Sequence, residues 1–203
     1  MNNALDYNLL SGIDNSNACH NEFPITNSND SSENMYNNEN IKCNLSICHL
    51  NVYGNLASKL ECPDFANKFK THDIVFFSET WSNSNSKLVL DDFDKPICKH
   101  RVRKKNARRD SGGVCIFLKS RISKGITIVD WNNFEDGIVL KLDKYYFSFV
   151  QDVYIVCPYI RPSNSSRNAT NTGLDPFELL IDKTSELISK GDIIIIGDLN
   201  SRT

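Results

Sequence analysis

The chain has 203 residues, of which 40% are hydrophobic and 24% charged, with a formal net charge of −2. This is the composition of a soluble globular protein with one medium domain, and it excludes collagen and coiled coil. No aliphatic or aromatic run, residues 74–77 and 193–196 among them, is longer than four residues, against the ~20 that a membrane-spanning helix needs.

Residues 1–40 hold twelve Asn, five Ser and six acidic residues but no Lys or Arg. Such a segment cannot bury enough apolar surface to offset its ordering entropy, and it is expected to be a disordered tail. Residues 41–203 carry 23 basic and 19 acidic groups, a positive balance compatible with a polyanionic partner. Seven scattered cysteines without a Cys-x-x-Cys are expected to be reduced, as in an intracellular protein.

Within 41–203, residues 45–52 alternate apolar and polar, which predicts a half-buried strand. Leu56, Leu60, Phe65 and Phe69 have helical spacing interrupted at Pro63, so one or two short helices follow. Residues 73–78 predict a compact buried strand. Residues 112–118, 125–131, 137–142 and 147–156 predict further strands between turn residues. Asp175, Pro176 and Glu178 mark the start of a long helix as cap, first helical residue and capping-box partner. Phe177, Leu180, Ile181, Leu187 and Ile188 form its expected buried stripe and Gly191 its stop. Residues 192–196 then predict a fully buried strand. Strands with intervening helices argue a layered α/β domain.

Four segments put polar groups at the ends of predicted strands. They are Asn51 after the first, Glu79 after the second, Tyr159 after a later one, and Asp198 with Asn200 after the last. Layered α/β folds gather ligands there, because the loops converge while the sheet holds them. Two carboxylates and two amides make a hard-oxygen site suited to magnesium and phosphate. Taken singly, each residue also fits a local role: Asp198 and Asn200 a turn, Glu79 a solvated strand end, Tyr159 packing. Lys99, Arg101, Arg103, Lys104, Lys105, Arg108 and Arg109 put seven basic residues into eleven positions. On a surface loop, Arg101, Arg103, Lys104, Lys105, Arg108 and Arg109 would contact a nucleic-acid backbone; a solvated turn or a localisation-like run is the other reading.

Taken in order, the segments resemble the endonuclease/exonuclease/phosphatase superfamily, particularly the endonuclease domain of non-LTR retrotransposons. Leu50-Asn51-Val52-Tyr53-Gly54, followed by a helix with Lys59, is similar to the opening Asn motif. Asp73-Ile74-Val75-Phe76-Phe77-Ser78-Glu79-Thr80-Trp81 resembles the metal-binding Glu strand, and Ser111-Gly112-Gly113-Val114 the structural Gly-Gly-Val strand. Pro158-Tyr159-Ile160-Arg161-Pro162 and Gly197-Asp198-Leu199-Asn200 are similar to the Tyr-x-x-Pro and Gly-Asp-x-Asn motifs.

The resemblance implies an α/β four-layer αββα sandwich over residues 41–203. It implies Mg2+ or Mn2+ on Glu79, with Asn51 and Asp198 beside it. Asp198 would activate water, Asn200 fix the phosphate and Tyr159 support the transition state. The family's further Asp and its closing Ser-Asp-His do not occur in these residues, so the domain is expected to be partial, incomplete at its C-terminus and crippled in activity. His20, His49, His72 and His100 all precede the place of that motif and are expected to be structural or exposed. The expected activity is phosphodiester hydrolysis of DNA, with no membrane partner, nuclear or otherwise intracellular, and with a reverse transcriptase following in a longer reading frame. The alternatives are an inactive nucleic-acid-binding or structural relic, and a phosphatase or phospholipid phosphodiesterase.

Overall fold

The computed structural model describes residues 44–101, 108, 110–162 and 173–200, and the backbone of residues 5–8. The first sheet contains β1 (Leu5–Asn8), β2 (Ser46–Asn51), β3 (Ile74–Ser78), β4 (Ile97–Lys99) and β5 (Val114–Leu118), in the order β1-β2-β3-β5-β4. β2 and β3 run parallel, with Asn51 opposite Ser78; the other pairs are antiparallel. The second sheet contains β6 (Ile126–Val129), β7 (Gly137–Leu142), β8 (Val153–Pro158) and β9 (Asp192–Ile195), in sequential order. Its last pair, β8 and β9, is also parallel.

The sheets lie face to face. Ile47, Phe76 and Ile116 of the first pack in one core with Ile138, Leu140 and Ile155 of the second. α1 (Leu56–Leu60) and α2 (Pro63–Ala66) cover the outer face of the first sheet, where Leu56, Leu60 and Phe69 meet Val75, Phe77 and Phe117. The short α3 (Lys144–Phe147) joins β7 to β8. α4 (Pro176–Leu187) covers the second sheet, with Leu179, Leu180 and Leu187 against Val139, Tyr154 and Val156. The result is the expected α/β sandwich of four layers. Every residue of β3 and β5 is buried, because strands covered on both faces need apolar side chains at every position. The same double cover buries Ile47, Cys48 and His49 in succession, so β2 is not the half-buried strand its alternation predicts. No helix among the described residues is long and apolar enough to cross a membrane.

Several element predictions need correction. Residues 5–8 form a strand rather than disordered chain, since backbone pairing along the edge of β2 does not depend on apolar side chains; the rest of residues 1–40 lies outside the described residues. The strand predicted over 147–156 begins at Val153. Asp143 Oδ1 accepts the N–H groups of Tyr145 and Tyr146 and so starts α3, and left-handed Ser148 ends it. In α4, Asp175 caps the Phe177 N–H at 2.7 Å as expected. The buried stripe, however, is Leu179, Leu180, Lys183 and Leu187, while Phe177, Ile181 and Ile188 face outward. β9 is not fully buried, because it pairs with β8 alone among the described strands and ends that sheet.

Candidate functional site

Two parallel strand pairs deliver the site. After Asn51 and Ser78 the chains of β2 and β3 stay stitched together, with Val52 N–H donating to Ser78 O at 3.0 Å and Gly54 N–H to Glu79 O at 2.7 Å. Beyond β8 and β9 the pairing continues as a bridge between Tyr159 and Asp198, closed by the Ile160 N–H on Asp198 O at 2.8 Å. Gly197 permits this approach: a Cβ there would lie 2.0 Å from the Pro158 carbonyl oxygen.

Four of the five predicted catalytic residues meet in one hydrogen-bonded chain. Asn51 Nδ2 donates to Glu79 Oε1 at 3.2 Å and to Asp198 Oδ2 at 2.9 Å. The Tyr159 hydroxyl donates to the same Glu79 Oε1 at 2.5 Å. Asn51 Oδ1 is held in turn by the Tyr53 N–H at 3.0 Å, which fixes the orientation of the amide. Tyr159 is only 4% exposed; burial first, and then the Glu79 carboxylate, raise its pKa far above the ordinary phenol value. It is therefore a hydrogen-bond donor throughout the neutral range. Asn200, the fifth residue, sits one turn on. Its N–H bonds Asp198 Oδ1 at 3.0 Å and its side-chain amide bonds the Ile160 carbonyl at 2.8 Å, so it braces the Asp198 loop.

Beneath the site, inside the core, His49 Nε2 pairs with Ser78 Oγ at 3.1 Å and stacks on Phe76 at 4.9 Å. Burial pushes its pKa down to about 4, although the nearby Asp198 charge pulls the other way. His72 bonds Ser46 and His100 bonds Ser82. Thus none of the three described histidines joins the carboxylates by a hydrogen bond in the way Asn51 and Tyr159 do.

Of the predicted nucleic-acid contacts, Arg103, Lys104, Lys105 and Arg109 lie outside the described residues, and Arg108 is exposed. Arg101 is mostly buried. It grips Asp136 with Nε on Oδ1 at 2.7 Å and lies 5.6 Å from the Tyr159 ring centroid. Arg161 meets the same Asp136 at 3.0 Å. Lys99 likewise spans to the second sheet, donating to the Trp131 and Phe134 carbonyls. The start of the basic run therefore ties one sheet to the loops of the other.

The residues present fit a divalent cation. Glu79 and Asp198 bring two carboxylates to one neutral amide. Magnesium is commonly held by one or two carboxylates, its shell being completed by water and substrate phosphate. Among the described residues no group of three or more His, Cys, Asp and Glu gathers, here or elsewhere, so the protein's own share of a metal shell at this site is these two carboxylates and the amide.

Two aromatic residues at the site, Tyr53 and Trp81, fall inside the Asn and Glu motif segments, where no site role is read for them. Tyr53 follows Asn51 by two positions and Trp81 follows Glu79 by two, and their rings meet at 5.5 Å. Both sit in the left-handed region, as do Glu79 and Asn55. Their place in those two segments is the signal that the sequence carries for them.

A family model described as the Endonuclease/Exonuclease/phosphatase family matches residues 48–202. No curated protein matches the chain by sequence. Among solved structures, the catalytic domain of Xenopus laevis APE2 is similar with a TM-score of 0.55 at 14% identity, over 76% of this chain and 58% of that one. The catalytic domain of human Nocturnin with bound sulfate gives 0.45 at 11% identity, over 78% and 64%. TDP2 from Caenorhabditis elegans gives 0.44 at 15%, over 72% and 43%. The chain thus spans less than two thirds of the length of each of these structures.

Proposed function

The chain belongs to the endonuclease/exonuclease/phosphatase family, and from that membership we propose that residues 41–203 bind Mg2+ or Mn2+ and act on the phosphodiesters of DNA, as a non-LTR retrotransposon endonuclease domain does. The observation that carries this reading is the single chain of hydrogen bonds joining Tyr159, Glu79, Asn51 and Asp198 across the two sheets. Glu79 and Asp198, with Asn51, would hold the cation, which when bound supplies charge neutralisation at the phosphate and a more acidic water.

The chain's own groups do the rest. Asn51 brings two like charges together without adding a third. Tyr159, kept protonated, exchanges its bond to Glu79 for one to a phosphate oxygen as negative charge builds there. Asp198 orients the attacking water and accepts its proton, while Asn200 holds the turn that carries Asp198. Nuclear action and a reverse transcriptase in the same reading frame are part of this proposal.

A second reading, binding without turnover, is favoured by the histidines. His49, His72 and His100 are each bonded to a serine, and loss of one preorganised transition-state donor typically costs on the order of 10²–10³ in rate.

Both readings are tested together by Mn2+ titration, followed by electron paramagnetic resonance, and by nicking of supercoiled plasmid in Mg2+. On either reading residues 1–203 should bind Mn2+, with affinity reduced more than about tenfold in Glu79→Gln; the hydrolytic reading expects nicking above background, and the second reading nicking at background. Mn2+ affinity indifferent to Glu79→Gln overturns the metal assignment. Robust nicking that vanishes in Glu79→Gln overturns the reading of binding without turnover.

A further inference from the structure

Tyr53 is 70% exposed, an aromatic ring left in water beside the site. Its N–H lies 3.0 Å from Asn51 Oδ1, so its backbone is tied directly to the amide that joins Glu79 and Asp198. Its neighbour Trp81 is half-buried and packed against Gly54, where a Cβ would come within 2.1 Å of the indole. The two rings are tilted by 47°, and they form the two sides of a shallow aromatic ledge.

Both residues are held at a cost. Tyr53 has φ of 51° and Trp81 of 48°, a left-handed conformation that bulky side chains avoid. The loops are pinned there by backbone bonds, Gly54 N–H to Glu79 O at 2.7 Å and Trp81 N–H to Gly112 O at 2.9 Å. Folding alone gains little from strain that leaves a tyrosine in solvent. Strained, rigidly held groups of this kind concentrate where a ligand is bound.

We propose that Tyr53 and Trp81 form a stacking platform for an unpaired nucleobase next to the phosphate engaged at Glu79 and Asp198. The inference rests on the hydrolytic reading above and narrows its substrate class: DNA that presents an unstacked nucleotide, as a single strand or a frayed or flipped base. A base has an apolar face that an exposed ring can cover, and stacking of this kind tolerates any sequence. In an intact duplex each base face is already covered by its neighbours, so the ledge has nothing to accept.

The test uses residues 1–203 in Mg2+ and an oligodeoxynucleotide carrying 2-aminopurine, whose fluorescence falls on stacking, either alone or annealed to its complement. The single strand should bind more tightly than the duplex and be quenched. Tyr53→Ala should lose the quenching and weaken single-strand binding by about 5- to 100-fold, while Tyr53→Phe, which keeps the ring and removes the hydroxyl, should retain both. Because Tyr53 is largely exposed, its truncation leaves no cavity to unfold the domain.

Quenching that survives in Tyr53→Ala, equal weakening of single strand and duplex, a Tyr53→Phe variant as weak as Tyr53→Ala, or no binding of the single strand each overturns the platform. Mn2+ titration separates the two claims. Stacking retained with no Glu79-dependent Mn2+ binding fails the hydrolytic reading, and Mn2+ binding retained without stacking fails this one.

Discussion

Tyr159 and Glu79 share a hydrogen bond of 2.5 Å, although 80 positions separate them and they extend from different sheets. The donor is buried and held protonated, and the acceptor also takes a bond from Asn51. Tyr159→Phe removes the hydroxyl and leaves the ring. Urea unfolding should show a loss of about 1–2 kcal/mol, as expected for a bond to a charged group in a partly buried setting. An unchanged midpoint and slope would mean that the bond contributes nothing to joining the sheets.

Gly54 is the position where the backbone must tolerate both φ of +89° and the indole of Trp81 against its α-carbon. Gly54→Ala adds a methyl group where neither condition allows one. A cost of about 1–3 kcal/mol is expected, with a change in the near-ultraviolet circular dichroism of tryptophan as Trp81 is displaced. A variant with wild-type stability and spectrum would show that the two loops are not packed as described.

Asp136 is a buried carboxylate between two guanidiniums, those of Arg101 and Arg161. Asp136→Asn leaves two cations facing each other in a mostly buried place, and unfolding stability should fall by about 3 kcal/mol or more. Arg161→Met should cost less, because Arg101 still meets the carboxylate through two nitrogens. The reverse ranking in thermal unfolding would contradict this arrangement.

His49 makes stability depend on pH with a definite sign. Its folded-state pKa of about 4 lies below the ordinary 6.5, so the unfolded chain takes up a proton that the folded core refuses. The contribution is complete above pH 6.5 and is lost as pH falls towards 4, by up to about 1.4 kcal/mol per pH unit. Unfolding midpoints measured in EDTA between pH 7 and pH 4.5 should drop more steeply for the wild type than for His49→Gln. Parallel curves would sink the assignment.

The site was more legible in the sequence than the elements around it. Glu79, Tyr159 and Asp198 each follow a strand with a plain apolar run, Asn51 ends one of alternating pattern, and parallel pairing brings such ends together. α4 shows where reading stopped. Its cap at Asp175 was legible because capping is local chemistry, but Phe177 and Ile181 were assigned to the wrong face because the helix presents Leu179 and Lys183 instead. β4 has only three residues, and its place at the edge beside β5 depends on pairing with residues remote in sequence. The role of Arg101 was hidden for the same reason, since its partner Asp136 lies 35 positions away. The left-handed turn at Trp81 carries no glycine to announce it, and at Tyr53 the glycine is the following residue, Gly54.

The bonds from Asn51 to Asp198 and from Tyr159 to Glu79 also turn the site into a gauge of alignment between the two halves of the sandwich. Asn51 and Glu79 ride on one sheet, and Tyr159 and Asp198 on the other. A slip of the apolar interface by even an ångström would stretch these bonds beyond hydrogen-bonding range while leaving every strand intact. Cation affinity should therefore fade under mild denaturant before the circular dichroism of the sheets does, because the site registers the fit between layers and the spectrum registers only the layers.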